Sequence, residues 1–167
     1  MATRSENTVT INQPAEKVHA ALTNADYWAF IAQTLSPEPG EVNSFEQTEG
    51  GAVVTLFEVL PLDILPEAVR AMISQALKVK RVVTVGPLAD NAAHISYNAD
   101  VKGTPVDFEG EINLSGDDST TTLSYTNDVS VNIPFMGPAI EPKVAEALGD
   151  LFHNEGELTE RWISENA

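Results

Sequence analysis

The C-terminal quarter of the chain constrains the fold most. After breaks at Pro134 and Pro138, the residues from about Ala139 to Glu165 read as one long helix. Val144, Leu148, Leu151, Glu155, Leu158 and Trp162 recur every three or four positions, so all six share one face. A helix of roughly 25 residues spans about 40 Å, enough to cross a whole small domain. One member of that face is a carboxylate, and Gly149 and Gly156 thin the helix beside it. A long terminal helix laid across a curved sheet, with a polar residue and missing side chains turned inward, implies a roofed cavity for an apolar ligand. Bending over that space and close packing on the sheet would each explain the two glycines.

The rest of the chain supplies such a sheet. Thr8 to Asn12 alternates as a strand, and Pro14-Ala15-Glu16 opens a helix with Val18, Ala21, Leu22 and Ala25 on its apolar side. A second short helix over Ala25 to Leu35 presents Trp28, Ile31 and Leu35, and Pro37, Pro39 and Gly40 end it. Strand signals follow at Glu41–Glu49, Ala52–Leu60, Leu77–Val85 and Ala92–Val101, with Gly50-Gly51 as the first turn. Val106, Phe108, Gly110, Ile112 and Leu114 alternate with Asp107, Glu109, Glu111 and Asn113, a half-buried strand. Thr120 to Asn132 is the last strand, with Leu123, Tyr125, Val129 and Val131 on one side. Short connections require antiparallel neighbours. The order β-α-α-β6-α predicts a single α+β domain over residues 1–167: a curved antiparallel sheet of about seven strands wrapped around the terminal helix.

One insertion interrupts the strands. Pro66 can begin a short helix over about 65–76, in which Val69, Met72, Ile73 and Ala76 form an apolar stripe. It is either a lid with Met72 at its centre or plain packing over a sheet edge.

Composition narrows the function. Nine basic against 25 acidic residues give a formal charge of −16, which disfavours binding to nucleic acid or to anionic lipid surfaces. The one basic cluster, Lys78, Lys80 and Arg81, reads as a solvated strand face. Absence of cysteine excludes disulfides, thiolate chemistry and cysteine-ligated zinc. Met1 to Thr8 lacks the plan of a signal peptide, and no apolar run reaches the length of a membrane span, so a cytoplasmic protein without stable membrane insertion is expected.

The opening Val-Thr-Ile-Asn-Gln-Pro-Ala-Glu-Lys-Val-His-Ala-Ala-Leu-Thr-Asn-Ala-Asp-Tyr-Trp (residues 9–28) resembles the start of the START/Bet v 1-like superfamily, also called SRPBCC or polyketide cyclase/dehydrase-like. Ile-Pro-Phe-Met-Gly-Pro-Ala-Ile-Glu-Pro-Lys and Glu-Leu-Thr-Glu-Arg-Trp resemble the actinobacterial DUF2505 proteins within it. The resemblance implies a helix-grip fold whose members include lipid carriers, hormone receptors, cyclases, hydroxylase domains and chaperone activators. Fold alone does not confer one of these functions. The missing cysteines exclude the Rieske oxygenase branch.

The chemistry-bearing residues point to binding more than to catalysis. His19, His94 and His153 all fall off the inferred inner faces, and no histidine pair has metal-ligand spacing. No nucleophile–base pair, cofactor loop or metal set is present, so no catalytic residue, metal or cofactor is assigned. Glu155 stands inside an apolar stripe, where a carboxylate is costly unless satisfied. It is either a polar anchor for a ligand, with Tyr97 or Tyr125 supplying a hydroxyl, or a wet residue on a helix bowed outward. Trp28 is expected near the cavity entrance. Trp28, Met72, Tyr97, Phe108, Ile112, Tyr125, Leu148, Leu151 and Glu155 are the candidate cavity residues, and a small lipid-, isoprenoid- or polyketide-like molecule is the expected partner. A cyclase or aromatase using Glu155, Tyr97 and Tyr125, and an interaction module of the co-chaperone type, are the alternatives.

Overall fold

The structure, a computed structural model, describes residues 2–34, 40–60, 77–101, 106–132 and 137–166. The inserted helix expected at about 65–76 lies outside the described residues. Strand β1 (Ala2–Ile11) is followed by helices α1 (Ala15–Leu22) and α2 (Ala25–Thr34). Strands β2 (Glu41–Thr48), β3 (Gly51–Leu60), β4 (Leu77–Val85), β5 (Ala92–Val101), β6 (Val106–Gly116) and β7 (Thr121–Val131) lead into the terminal helix α3 (Gly137–Asn166). All seven strands form one antiparallel sheet in the order β1-β7-β6-β5-β4-β3-β2. This is the helix-grip α+β fold that the element order predicts.

Alternation sets which face is inside. On β7, Thr121, Leu123, Tyr125, Asn127, Val129 and Val131 are all buried, while the residues between them are partly or fully exposed. The same parity continues through Phe108, Ile112 and Leu114 on β6, and through Ile95, Tyr97 and Ala99 on β5. On β4 it continues through Val79, Arg81, Val83 and Val85. Register keeps these rows aligned: Ile112 stands opposite both Ile95 and Tyr125, and Gly110 stands opposite both Tyr97 and Asn127. A side chain at Gly110 would strike the Tyr97 ring, so the glycine leaves room for that ring over the sheet.

The N-terminal helices close one end of the sheet. Ala15 N–H donates to the Asp117 carbonyl at 3.1 Å, and Thr121 Oγ1 donates to the Gln13 carbonyl at 2.8 Å. These bonds pin the start of α1 to the β6–β7 turn. His19, expected to be solvated, is instead partly buried with Nε2 2.8 Å from the Gly86 carbonyl oxygen. His94 and His153 are exposed as expected and lie near Glu111 and Glu157.

Helix α3 runs 30 residues, about 45 Å, and packs on β1 and β7. Its buried line is Glu141, Ala145, Phe152, Gly156, Thr159 and Ile163, with Glu155 beside it. That line lies one position along from the predicted Val144–Trp162 stripe. Leu151, Leu158 and Trp162 are the shoulder of the buried face, partly covered by the core. Glycine is the physical reason for the rotation. A Cβ on Gly156 would run into Val9 Cγ1, and one on Gly149 would come within 2.7 Å of Asn7 Nδ2. The helix backbone therefore approaches β1 along its glycine edge. Close packing on the sheet accounts for both glycines.

At the N-terminal end of α3 a carboxylate fastens the helix. Glu141 is 4% exposed; its Oε1 accepts from Thr3 Oγ1 at 2.8 Å, and its Oε2 accepts from Val131 N–H at 3.0 Å. One side chain thus ties α3 to the ends of both β1 and β7.

Candidate functional site

The interior between the concave sheet face and the middle of α3 holds an ion pair and a set of aromatic rings. Arg81 enters from β4 because its strand parity matches that of Val79 and Val83. Glu155 enters from α3 one turn after Phe152 and Leu151. Arg81 Nη1 donates to Glu155 Oε2 at 3.0 Å, and Nη2 donates to Oε1 at 3.3 Å. The two side chains are 7% and 10% exposed. A two-armed guanidinium–carboxylate contact is the strongest geometry such a pair can take, and burial removes the water that would weaken it.

Aromatic groups enclose the pair. The Arg81 guanidinium carbon lies 5.8 Å from the centre of the Trp28 ring. Trp28 is held by its Nε1–H donating to the Leu22 carbonyl at 2.8 Å, and it meets Tyr27 edge-on at 5.0 Å. The Tyr27 hydroxyl lies 2.7 Å from Thr159 Oγ1, which donates to the Glu155 carbonyl oxygen at 2.8 Å. On the other side, Phe152 stacks on Tyr125 at 4.4 Å and meets Tyr97 edge-on at 5.6 Å. Phe108 continues that row at 6.2 Å from Tyr97. Tyr97 donates its hydroxyl to Asn127 Oδ1, and Asn127 Nδ2 donates to Asn7 Oδ1 at 2.8 Å.

Electrostatics hold both phenols in their protonated form. Burial pushes the Tyr97 hydroxyl well above the ordinary tyrosine value; the Arg81 charge opposes that rise, and Glu155 and Asp128 add to it. Burial raises Tyr125 likewise, with the Glu155 charge as the next cause and Arg81 acting against it. Tyr97 and Tyr125 are therefore neutral hydrogen-bonding groups within the field of the ion pair. Among the described residues, no group of three or more histidines and carboxylates is placed to hold a metal ion.

A model of a family of unknown function, DUF2505, matches residues 6–163. The chain belongs to the DUF2505 family. An uncharacterized protein of Mycobacterium tuberculosis is 32% identical over 160 residues, covering 90% of this chain and 91% of the relative. An uncharacterized protein of Mycobacterium bovis matches to the same extent. Among solved structures, a START superfamily protein from Mycobacterium smegmatis superposes with a TM-score of 0.56 at 13% identity, covering 98% of this chain and 99% of that one. A conserved protein from Geobacillus kaustophilus gives 0.61 at 14% identity, covering 98% and 96%. The di-domain aromatase/cyclase StfQ of the steffimycin pathway gives 0.63 at 11% identity, covering 99% of this chain and 52% of that one. At these identities the likeness establishes a START/Bet v 1-like fold for this DUF2505 chain.

Trp28, Tyr97, Phe108, Ile112, Tyr125 and Glu155 are all buried on the inner surfaces of sheet and helices, and Leu151 is partly buried at the helix shoulder. Met72 and the side chain of Leu148 lie outside the described residues. Trp28, expected at an entrance, is 2% exposed and packs beside the guanidinium at depth. The reading of Arg81 as part of a solvated basic face is overturned: it is 5% exposed and inward-facing. The signal was present in the alternation Val79-Arg81-Val83-Val85, which places Arg81 with the valines. Phe152, Thr159, Tyr27 and Asn127 were not singled out. The first three follow only from the rotation of α3 and its contact with α2.

The opposite face of the sheet carries a separate groove of about 470 Å³ that crosses β4 to β7 and β1. Its lining includes Ser96, Glu109, Glu111, Thr126, and Arg4 paired with Asp128 at 3.3 Å. This polar surface shares none of the interior aromatic walls apart from a contact with Tyr97.

Proposed function

We propose that this protein binds or carries a small, mainly apolar molecule between the concave sheet face and α3, with the Arg81–Glu155 pair marking the polar end of the site. The observation that carries this reading is the two-armed pair itself, set among Trp28, Tyr97, Tyr125 and Phe152. Burying two charges is expensive, and an apolar pair of equal volume would hold sheet and helix together at least as well. Retaining the ions in a wall of aromatic rings favours a role beyond packing, because ligand sites are mostly apolar with a few placed polar groups. The START-like fold supports the same reading, as its terminal helix and curved sheet face each other across the interior. No helix among the described residues is long and apolar enough to cross a membrane.

Native mass spectrometry of protein purified from an actinobacterial host tests the proposal. A retained hydrophobic adduct, together with a rise in melting temperature across a lipid and polyketide panel, is the expected result. Protein free of any adduct and without a thermal shift from any member of that panel would contradict it.

A further inference from the structure

We infer that the outer face of the sheet docks a short segment of another protein, basic at one end and apolar at the other. This surface is independent of the interior and of any ligand held there. Two cross-strand rows build it. Arg4, Asp128, Glu109, Asn98 and Val82 stand side by side across β1, β7, β6, β5 and β4. Glu6, Thr126, Glu111, Ser96 and Thr84 form the adjacent row on the same strands. The groove of about 470 Å³ lies over these rows. Every residue lining it belongs to a strand, so no described helix reaches into it. Five strands spaced about 4.8 Å apart give a track of about 19 Å, the length of about six extended residues.

Charge decides the partner. Four carboxylates, Glu6, Asp128, Glu109 and Glu111, share the β1–β6 end of the rows with one arginine. Arg4 pairs with Asp128 at 3.3 Å, and His94 Nε2 lies 3.7 Å from Glu111. Glu6 and Glu109 have no ion-pair partner among the described residues. Glu109 stands directly opposite Asp128, and like charges in that position weaken a sheet. Lysine or arginine from a partner would offset that repulsion and be steered to the face by it. Toward β4 the lining changes character. Ser96, Asn98 and Thr84 are uncharged, and Val82 adds half-buried apolar surface. A segment laid across the strands meets carboxylates at one end and a valine at the other. That gradient favours a peptide over a small polycation, which is charged along its whole length. The same carboxylates repel nucleic acid and anionic lipid.

Fluorescence anisotropy of the full chain with a labelled hexapeptide, lysine-rich at one end and leucine-rich at the other, tests the inference. The peptide should bind with an affinity that falls as salt rises, and its counterpart with glutamate for lysine should not bind. Glu109→Gln with Glu111→Gln should weaken binding by about tenfold while the circular dichroism stays unchanged. Glu157→Gln with Glu165→Gln on the exposed side of α3 removes the same net charge and should leave the affinity unchanged. An equal loss in both double variants would overturn the inference, because net charge alone would then explain binding. Displacement of the peptide by an equimolar amount of spermidine would overturn the peptide assignment in favour of a small polycation. Failure of the lysine peptide to bind at low salt would overturn the docking surface outright. None of these results bears on the interior site.

Discussion

Arg81 and Glu155 are 74 residues apart in sequence and meet through two hydrogen bonds of 3.0 and 3.3 Å inside the sheet–helix interface. This contact ties the terminal helix to a central strand, so it bears on stability as well as on any ligand. Removing one partner strands the other charge in the interior. Arg81→Met alone should cost about 3–5 kcal/mol in urea unfolding, whereas Arg81→Met with Glu155→Leu should recover most of that loss. Additive single-variant losses in the double variant would contradict a coupled pair.

The two interior glycines of α3 should respond differently to alanine, although alanine favours a helix by about 1 kcal/mol. At Gly156 the new methyl meets the branched Val9 side chain on a sheet strand, which has little freedom to withdraw. Gly156→Ala should therefore destabilise by about 1–3 kcal/mol. At Gly149 the obstacle is the end of the Asn7 side chain, 2.7 Å away, which can turn aside. Gly149→Ala should be near neutral in thermal unfolding. A larger loss at Gly149 than at Gly156 would contradict the close approach to Val9.

Much of this architecture was legible in local patterns. Alternation through Phe108, Ile112, Leu123 and Tyr125 identifies the buried face of the sheet, and Gly50-Gly51 marks the first hairpin turn. The orientation of α3 was less legible, because the apolar stripe Leu151, Leu158 and Trp162 is the shoulder of the helix. Its innermost edge contains Gly156 and Thr159, residues that carry little hydrophobic signal. Arg81 was missed for a related reason: charge in a Lys-Val-Lys-Arg run suggests water, but strand parity placed Arg81 inside. Glu155 could be recognised as anomalous from its stripe, yet its partner emerges only when β4 and α3 are brought together.

Alkaline titration offers a check on the buried phenols. Tyr97 and Tyr125 have folded-state values above the unfolded value of 10.0, with burial as the main cause. The stability this contributes is complete below pH 10 and is lost as pH rises beyond it, because the unfolded chain releases those protons first. Ultraviolet absorbance should show these two tyrosines ionising only as the circular dichroism of the fold is lost. Reversible ionisation of both near pH 10 in the folded protein would contradict their burial.

Glu141 predicts a localised effect. Glu141→Ala removes the acceptor of the buried Val131 N–H and should cost about 1–3 kcal/mol, with faster hydrogen exchange at the end of β7. Glu141→Gln keeps one acceptor oxygen and should cost less. Equal exchange at Val131 in the native protein and in Glu141→Ala would contradict the fastening role.

A ligand held beside the Arg81–Glu155 pair is tested most directly by NMR shift mapping with a long-chain methyl ketone. The indole N–H of Trp28, the guanidinium of Arg81 and the rings of Tyr125 and Phe152 should shift together and saturate at one equivalent. Shifts confined to Ser96, Glu109 and Thr126 on the opposite sheet face, with the interior signals unmoved, would contradict it.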